Sequence, residues 1–545
     1  MVRTFANFVL TLNPGMNPKE TSGTDALNTG LRGFQYLIHP RKMSITSLSL
    51  SIYLLLLSTC FLICGAQNLV ADLKSQGIEL VEPGDQGYNS ASAAFNRRFV
   101  FKPAVVTFPT TPAQVSSIVK TAVKYKKHVA ARGGGHSYVA NGLGGQNGAV
   151  VIDMNRHFTR IQVNNQANTA KIDSGSRLGD IALTLNNYGR GFGHGTCPYV
   201  GIGGHSLLGG FAYASRLWGM VVDVIESIDL VLANGTITTA SKNKNSELFW
   251  GMRGAGPSFG ITTSMTIKTF AVPPSATVFQ YTWDLNATSA ASFLNAYQTF
   301  SLGQVPPQFG SELVLSKGSR QGRVSITLQG VWYDAANKFN AIIRPLVTKV
   351  SQKPRNQMVK AGKYIDSVAF FGESNNRLNT TNAPDTFDTF YVKSLLTPES
   401  QPMTTKSSQA FMQYLANQGF QSQSAWFIEV EEFGGPGSLV NAVPLDSTSF
   451  GNRGALFLMQ FYVYESNPNN PFAQSGFSLA DGMVNSVTSN NPSNWPYTAY
   501  PNYLDNRLQN WQQLYYGQHY PRLQRLKGSV DPGNVFQFPT SIEKP

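Results

Sequence analysis

Cys197 lies in a short motif whose residue types could attach a cofactor covalently. The chain has three cysteines, and Cys60 and Cys64 lie in a short apolar run typical of a secretion signal. Cys197 would then be the single cysteine of a mature secreted protein, within residues 194–201 (HGTCPYVG). Outside the cell, an accessible thiol oxidises or cross-links. Cys197 is therefore either buried and inert, or bonded to something other than a cysteine.

Three glycine-rich stretches, residues 133–135, 201–210 and 254–260, could bind phosphate groups. Bare backbone N–H groups in such loops can point at anionic oxygens. None of the stretches has the Gly-x-Gly-x-x-Gly pattern, because Ser206 stands where a third glycine is required. This argues against a Rossmann dinucleotide fold. Taken one at a time, glycine loops are ordinary tight turns.

The first glycine stretch follows a predicted strand–helix–strand unit. Residues 105–108 have strand character, and Thr111-Pro112-Ala113-Gln114 has the capping signals of a helix start. A second strand near Val129 leads directly into residues 132–138 (RGGGHSY). Ligands commonly bind at such strand ends. Residues 149–153 predict another strand, and residues 225–239 a hairpin around Asn234-Gly235.

The chain changes character after Val272-Pro273-Pro274. Alternating segments such as residues 324–328 and 427–431 predict a broad antiparallel sheet interrupted by helices. We expect an α+β protein with a first domain over 67–274, a second over 275–496, and a segment over 497–545 that returns to the first. Residues 247–256 are interpreted as a glycine-rich connection. A final helix is predicted from Leu504, Leu508, Trp511 and Tyr515.

The N-terminal residues predict export. A basic patch, a short apolar run and small residues form a signal-peptide pattern over 43–66, with 1–42 as an extension of doubtful reality. A single-pass anchor is the alternative, although the run is shorter than the ~20 apolar residues a span needs. The formal charge of +13 is scattered, without a nucleic-acid motif, so no nucleic-acid partner is expected. No metal-ligand cluster such as His-Glu-x-x-His appears, so no catalytic metal is expected.

Four motifs together, residues 132–137, 197–205, 500–505 and 531–536, resemble the berberine-bridge-enzyme-like branch of the vanillyl-alcohol-oxidase flavoprotein superfamily. The resemblance covers about residue 95 to the C-terminus and is weak in the middle. Secreted carbohydrate oxidases of that branch are the most similar. The resemblance implies a two-domain PCMH-type FAD-binding fold, whose substrate domain is an antiparallel sheet flanked by helices.

The resemblance also implies how FAD is held. In that family a histidine bonds the flavin 8α carbon and a cysteine bonds C6, which carries over to His136 and Cys197. The bonded cysteine would be a thioether, which would account for the single thiol. His205 would lie near the flavin N1–C2 side, and His194 is interpreted as structural. The residues that would line the pyrophosphate, the ribityl chain and their surroundings are Arg132, Gly133, Gly134, Gly135, Ser137, Gly201, Gly203 and Gly204. Val200 matches the position that controls oxygen access, and valine there resembles the oxygen-admitting members.

For catalysis, the resemblance makes Tyr503 the base that removes a hydroxyl proton while hydride passes to flavin N5. A free tyrosine has a pKa of ~10 and needs help from a neighbour to act near neutrality. Glu431 resembles the acidic partner beside that tyrosine, where Asp is usual. Tyr138, Glu429 and Gln460 would border the substrate, and Trp426 or Phe427 could stack on a sugar ring.

The leading hypothesis is a secreted FAD oxidase that converts a reducing-end sugar, mono- or oligosaccharide, to its lactone and passes electrons to oxygen as hydrogen peroxide. One alternative is oxidation of a small secondary metabolite or alcohol. Another is a flavin-binding wall protein without turnover, against which an intact Tyr503 argues.

Overall fold

The computed structural model describes residues 69–372, 377–381 and 388–545, and a small mixed sheet follows the helical residues 69–75. The predicted extension 1–42 and signal peptide 43–66 lie outside the described residues. The sheet has the order β1-β2-β4-β3, with β2, β4 and β3 parallel and β1 antiparallel at the edge. Its strands are β1 (Leu80–Val81), β2 (Val105–Thr107), β3 (Val129–Arg132) and β4 (Val150–Asp153).

A five-stranded antiparallel sheet of order β5-β6-β10-β8-β9 follows in the chain. Its strands are β5 (Ile161–Asn164), β6 (Thr169–Asp173), β8 (Ile225–Val231), β9 (Ile237–Ser241) and β10 (Ile261–Lys268). A two-stranded ribbon joins β7 (Arg190–Gly191) and β11 (Phe270–Ala271). The helices of this part are α1 (Tyr88–Ala91), α2 (Pro112–Lys124), α3 (Leu178–Asn186), α4 (Ile202–Leu208), α5 (Ser215–Trp218), α6 (Val221–Val224) and α7 (Ser246–Ala255).

The predicted helix start at Thr111 is confirmed, because its side chain accepts a hydrogen bond from the Gln114 N–H at the N-terminus of α2. Residues 247–256 are not a connection, which corrects the sequence interpretation. Residues 247–255 lie in α7, whose backbone leaves helical geometry only at Arg253 and Gly254, and Gly256 begins a short 3-10 helix. Gly251 sits in this helix because a Cβ there would lie 2.3 Å from the Leu526 side chain of a crossing helix. Close packing, and not a turn, requires this glycine.

A seven-stranded antiparallel sheet of order β15-β12-β14-β13-β17-β18-β16 dominates the middle of the chain, as predicted. Its strands are β12 (Ala276–Asn286), β13 (Phe309–Lys317), β14 (Arg323–Trp332), β15 (Asn356–Gly362), β16 (Phe390–Pro398), β17 (Ala425–Glu432) and β18 (Ala455–Tyr464). The helices of this part are α8 (Ala287–Ser301), α9 (Phe339–Val347), α10 (Tyr364–Phe370), α11 (Thr405–Tyr414), α12 (Leu439–Ala442) and α13 (Gln474–Thr488).

The two faces of this sheet differ, because side chains alternate along each strand. Trp426, Ile428 and Val430 of β17 point to one face and form a large apolar core with α8, α11 and α13. The opposite face carries Glu429 and Glu431 and is turned toward the rest of the molecule. This alternation decides which β17 side chains can reach the candidate site.

The C-terminal segment contributes two helices, α14 (Trp511–Tyr516) and α15 (Tyr520–Val530). The predicted final helix is therefore shorter than expected, because residues 504–510 are not helical. The segment also packs against the first sheets: Val129 N–H donates to Val535 O at 2.9 Å. Lys527 and Asp531 form a fully buried ion pair of 2.7 Å at the end of α15. The segment thus returns to the first part of the chain.

Candidate active site

Two glycine loops meet backbone to backbone at the centre of the candidate site. A Cβ on Gly134 would lie 2.3 Å from the Gly201 N, and a Cβ on Gly201 would lie 2.1 Å from the Gly134 N. Only glycine at both positions allows this approach. His136 follows Gly134 by two residues, and Cys197 precedes Gly201 by four. The contact therefore brings the two predicted anchors to the same region.

The His136 imidazole is held in an apolar setting beside this contact. It stacks on Phe95 with 4.3 Å between ring centroids and 24° between ring planes. Burial, followed by the positive charge of Arg177, lowers the pKa of His136 to about 3. A neutral imidazole keeps a nitrogen lone pair, which is the form that can act as a nucleophile. Cys197 is half-buried.

The backbone of residues 133–137 can bind an anion. The N–H groups of these five residues donate no hydrogen bond to any other described residue. Gly203 closes the other side, since a Cβ there would lie 2.8 Å from Ser174 O, whereas Gly204 is exposed with open space beside it. Five consecutive N–H donors beside a glycine contact suit a pyrophosphate. The residues present therefore fit FAD.

Arg132 and Ser137 support this loop from within. The Arg132 guanidinium donates to the Ala91 and Ala93 carbonyl oxygens and lies 3.3 Å from the Asp153 carboxylate. The Ser137 Oγ accepts a hydrogen bond of 3.1 Å from the Asn141 N–H. In this structure Arg132 thus fixes the loop, and its contribution to cofactor binding remains a prediction.

Tyr503 lies in the C-terminal segment and is hydrogen-bonded to the seven-stranded sheet. Its Oη donates to Glu431 Oε2 at 3.1 Å. Its ring stacks on Tyr138, two residues past His136, with 5.9 Å between centroids and 10° between planes. The neighbouring Asn502 donates to His205 O at 3.1 Å. The tyrosine loop is therefore attached both to the sheet and to α4.

The electrostatics of this pair oppose charge on either partner. Burial, and then the carboxyls Glu431 and Glu429, raise the pKa of Tyr503 well above its usual range. Burial, and then Glu429 and Glu312, raise the pKa of Glu431 well above that of an ordinary carboxyl. A free tyrosinate is thus strongly disfavoured. Tyr503 can accept a proton only if it passes its own proton to Glu431 at the same time.

Gln460 and Glu429 lie beside this pair, opposite each other on β18 and β17. Gln460 Nε2 donates to Tyr138 Oη at 3.2 Å. Phe427 lies on the same face of β17 and packs in a cluster that includes Tyr138 and Tyr503. These side chains form a wall of aromatic rings with a few amide and carboxyl groups, a combination typical of small-molecule sites.

Trp426 does not belong to this wall, which corrects the sequence prediction. Its side chain points to the helix-covered face of the sheet, and its indole N–H donates to Gly419 O at 2.9 Å. Residues 426 and 429 are separated by an odd number of positions on one strand and therefore face opposite sides. Of the two predicted stacking residues, the geometry leaves Phe427.

The remaining predicted residues lie around the second glycine loop. His205 Nε2 accepts a hydrogen bond of 3.0 Å from the Gly195 N–H, and burial lowers its pKa to about 3. His205 is therefore a neutral imidazole with its proton on Nδ1. His194 is buried and hydrogen-bonds Gly195 O at 2.8 Å, consistent with a structural role. Val200 is half-buried against the core beneath α4.

Sequence reasoning missed several residues of this face. Glu312 on β13 lies directly opposite Glu431, and its Oε1 accepts hydrogen bonds of 2.6 Å from Tyr213 Oη and from Gln329 Nε2. Phe390 and Tyr462 complete the aromatic cluster around Tyr138. The odd–even alternation along β13 marks Glu312 as sharing a face with Val314. Only the strand register shows that this face meets Glu431.

Among the described residues, no helix has the length and apolar character needed to cross a membrane.

Comparison with known proteins agrees with this geometry. The profile of an FAD-binding domain matches residues 103–241, and a profile described as berberine and berberine like matches residues 499–543. A xylooligosaccharide oxidase of Thermothelomyces thermophilus is 32% identical over 481 residues, covering 86% of this chain and 93% of the relative. The chain belongs to the berberine-bridge-enzyme-like family. This berberine-bridge-enzyme-like protein is therefore an FAD-linked oxidoreductase with the predicted PCMH-type α+β fold.

Two solved structures show how closely the fold of this berberine-bridge-enzyme-like protein follows its relatives. A chitooligosaccharide oxidase matches with a TM-score of 0.81 and 30% identity, covering 88% of this chain and 99% of that chain. The glucooligosaccharide oxidase of Acremonium strictum, with 6-S-cysteinyl, 8α-N1-histidyl FAD, matches with a TM-score of 0.81 and 28% identity over the same shares. The predicted fold and the FAD cofactor are confirmed.

Proposed function

We propose that this protein is a secreted oxidase that holds FAD through His136 and Cys197 and oxidises the reducing-end carbon of a sugar to a lactone. The observation that carries the proposal is the Tyr503–Glu431 hydrogen bond, made by a tyrosine whose ring stacks on Tyr138. Relatives named as xylo-, chito- and glucooligosaccharide oxidases support a mono- or oligosaccharide substrate. The domains would be 67–274 for FAD and 275–496 for substrate, with 497–545 completing the first.

The chain would hold FAD by two bonds, from the His136 imidazole and from the Cys197 sulfur. The two anchors come from loops that the Gly134–Gly201 contact holds together. The five unpartnered N–H groups of residues 133–137 would receive the pyrophosphate. When bound, FAD accepts a hydride from the carbinol carbon and returns the electrons to oxygen, forming hydrogen peroxide.

The proton would leave by a relay through two side chains. Tyr503 Oη takes the proton of the substrate hydroxyl while its own proton passes to Glu431 Oε2, 3.1 Å away. The raised pKa of Glu431 makes it a good proton acceptor at the end of this path. No net charge is left on the tyrosine, which is consistent with its burial.

The walls of the site would position the sugar. Phe427 and Tyr138 provide aromatic faces for pyranose C–H groups, and Gln460 provides an amide near the Tyr138 hydroxyl. Val200 is proposed to leave a path for oxygen to the flavin. His205 is proposed to lie near the flavin N1–C2 side. Export through residues 43–66 would place the enzyme outside the cell, without stable insertion in a membrane.

The test is anaerobic reduction of the purified, yellow protein by cello-, malto-, xylo- and chito-oligosaccharides, followed by absorbance. We expect at least one sugar to bleach the flavin and to yield peroxide when air is admitted. Tyr503→Phe should keep the colour and slow reduction by about 10²- to 10⁴-fold, because the proton relay is broken. Tyr188→Phe removes a hydroxyl from an exposed tyrosine and is the matched control. Unchanged reduction by the Tyr503 variant would remove it as the base, and a sugar panel without any response would refute the proposed substrate class.

A further inference from the structure

Three carboxyl side chains lie side by side on the substrate sheet, facing Tyr503. Glu312 on β13 is the direct register partner of Glu431 on β17. Glu429 precedes Glu431 by two residues and shares its face of the strand. All three are buried, with Glu429 only 4% exposed. Such a group of like charges is costly unless something compensates it.

The three carboxyls differ in their partners. Glu312 accepts two hydrogen bonds, from Tyr213 and Gln329, and Glu431 accepts one from Tyr503. Glu429 Oε1 is buried and has no hydrogen-bond partner. No ion pair between described residues includes any of the three, whereas the neighbouring Glu432 pairs with Arg216 on the other face. Glu429 is thus the carboxyl that lacks a donor.

Glu429 also faces the substrate side of the wall. Its register partner is Gln460, whose amide contacts the Tyr138 hydroxyl. Burial, and then the charge of Glu429, raise the pKa of Tyr138. The residue opposite Glu429, Gln460, carries a neutral amide. An amide at position 429 would be enough to bind a neutral hydroxyl group, and it would avoid the repulsion that a third carboxyl adds.

We propose that Glu429 binds an ammonium group of the substrate, so that the preferred sugar carries a free amine. This inference rests on the proposed function as a sugar oxidase. An ammonium supplies three donors and the positive charge that the described residues do not provide beside this cluster. The orphaned Oε1 gains its donor. Burial, and then Glu312, raise the pKa of Glu429 well above that of an ordinary carboxyl, and a bound ammonium opposes this shift and favours the carboxylate. A hydroxyl of a neutral sugar could donate to Oε1 but would bring no positive charge.

The experiment compares kcat/KM for 2-amino-2-deoxyglucose and its β-1,4-linked dimer with glucose, cellobiose and the N-acetylated forms, at a pH where the amine is protonated. We expect the wild-type holoenzyme to prefer the amino sugar by about 30-fold or more. Glu429→Gln should lower the amine-to-neutral ratio by about 30-fold, because a buried charge partner is lost. Glu429→Asp retains the charge and should keep a preference for the amine. Flavin content, read from the visible spectrum, serves as the folding control.

Two results would overturn the inference. In one, the enzyme oxidises neutral sugars and shows no preference for the amine, or the ratio is the same in wild type and Glu429→Gln; the proposed function then stands and the inference fails. In the other, no sugar of either kind reduces the flavin, and both proposals fail together. The first result includes a preference for the N-acetylated form, which carries no ammonium group.

Discussion

The contact between Gly134 and Gly201 can be tested by adding one methyl group. In Gly201→Ala the new Cβ would lie 2.1 Å from the Gly134 N and 2.7 Å from its Cα, where ordinary contacts are 3.4–4 Å. The obstructing atoms are backbone and cannot rotate away, so the loops must separate by about 1.3 Å. Such overpacking costs about 1–3 kcal/mol. A shift of about 1 Å in a reacting group is enough to cost about 10²-fold in rate.

We therefore expect Gly201→Ala to impair attachment at Cys197 and to unfold at a lower temperature than wild type. The assays are intact mass, the visible colour of acid-precipitated protein, and thermal unfolding, where 1 kcal/mol shifts Tm by about 2–4 °C in a domain of 150–250 residues. Gly142→Ala is the matched control, because its Cβ would lie 3.6 Å from the nearest atoms. Full attachment and unchanged Tm in Gly201→Ala would refute the view that this contact aligns the two anchors.

Substitutions at Glu431 and Glu432 test the carboxyls of β17. Because only the carboxylate of Glu431 can take the Tyr503 proton and its pKa is raised, flavin reduction should fall as pH drops through that raised pKa. Glu431→Asp should keep this loss of rate at low pH, whereas Glu431→Gln should be slow at every pH and show no such loss. If Glu431→Gln still loses rate at low pH, another group is responsible. Glu432→Gln should lower the free energy of unfolding by about 3–5 kcal/mol, because it leaves the fully buried Arg216 without its counter-charge. Urea unfolding measures both losses, with the exposed ion pair of Arg522 and Glu247 as the control. Glu247→Gln should lower the free energy of unfolding by at most about 1 kcal/mol. Equal losses in Glu432→Gln and Glu247→Gln would contradict the argument.

Local patterns predicted the scaffold that holds the cofactor loops. The cap at Thr111, the strand that ends at Arg132, and the hairpin around Asn234-Gly235 are all present. These features depend on neighbours within a few residues, so the sequence carries them directly. The error at residues 247–256 arose where distant packing decided the outcome. Gly251 belongs to a helix because another helix crosses it, and no local signal shows that crossing.

In the candidate site, too, local motifs were predictable from the sequence and long-range contacts were not. The motifs around His136, Cys197 and Tyr503 were visible, and the tyrosine does meet Glu431. The choice between Trp426 and Phe427 could have been made by counting, since only odd-numbered positions of β17 share a face with Glu429. The approach of Glu312 could not, because it depends on the register between β13 and β17, strands separated by more than a hundred residues.

The two-point attachment of FAD is the central claim, and peptide mass spectrometry tests it most directly. The protein is denatured, digested with protease, and the fragments carrying residues 136 and 197 are weighed. The account predicts that both fragments remain joined through one flavin and stay yellow. Release of the chromophore into solution, with both peptides at their unmodified masses, would contradict it.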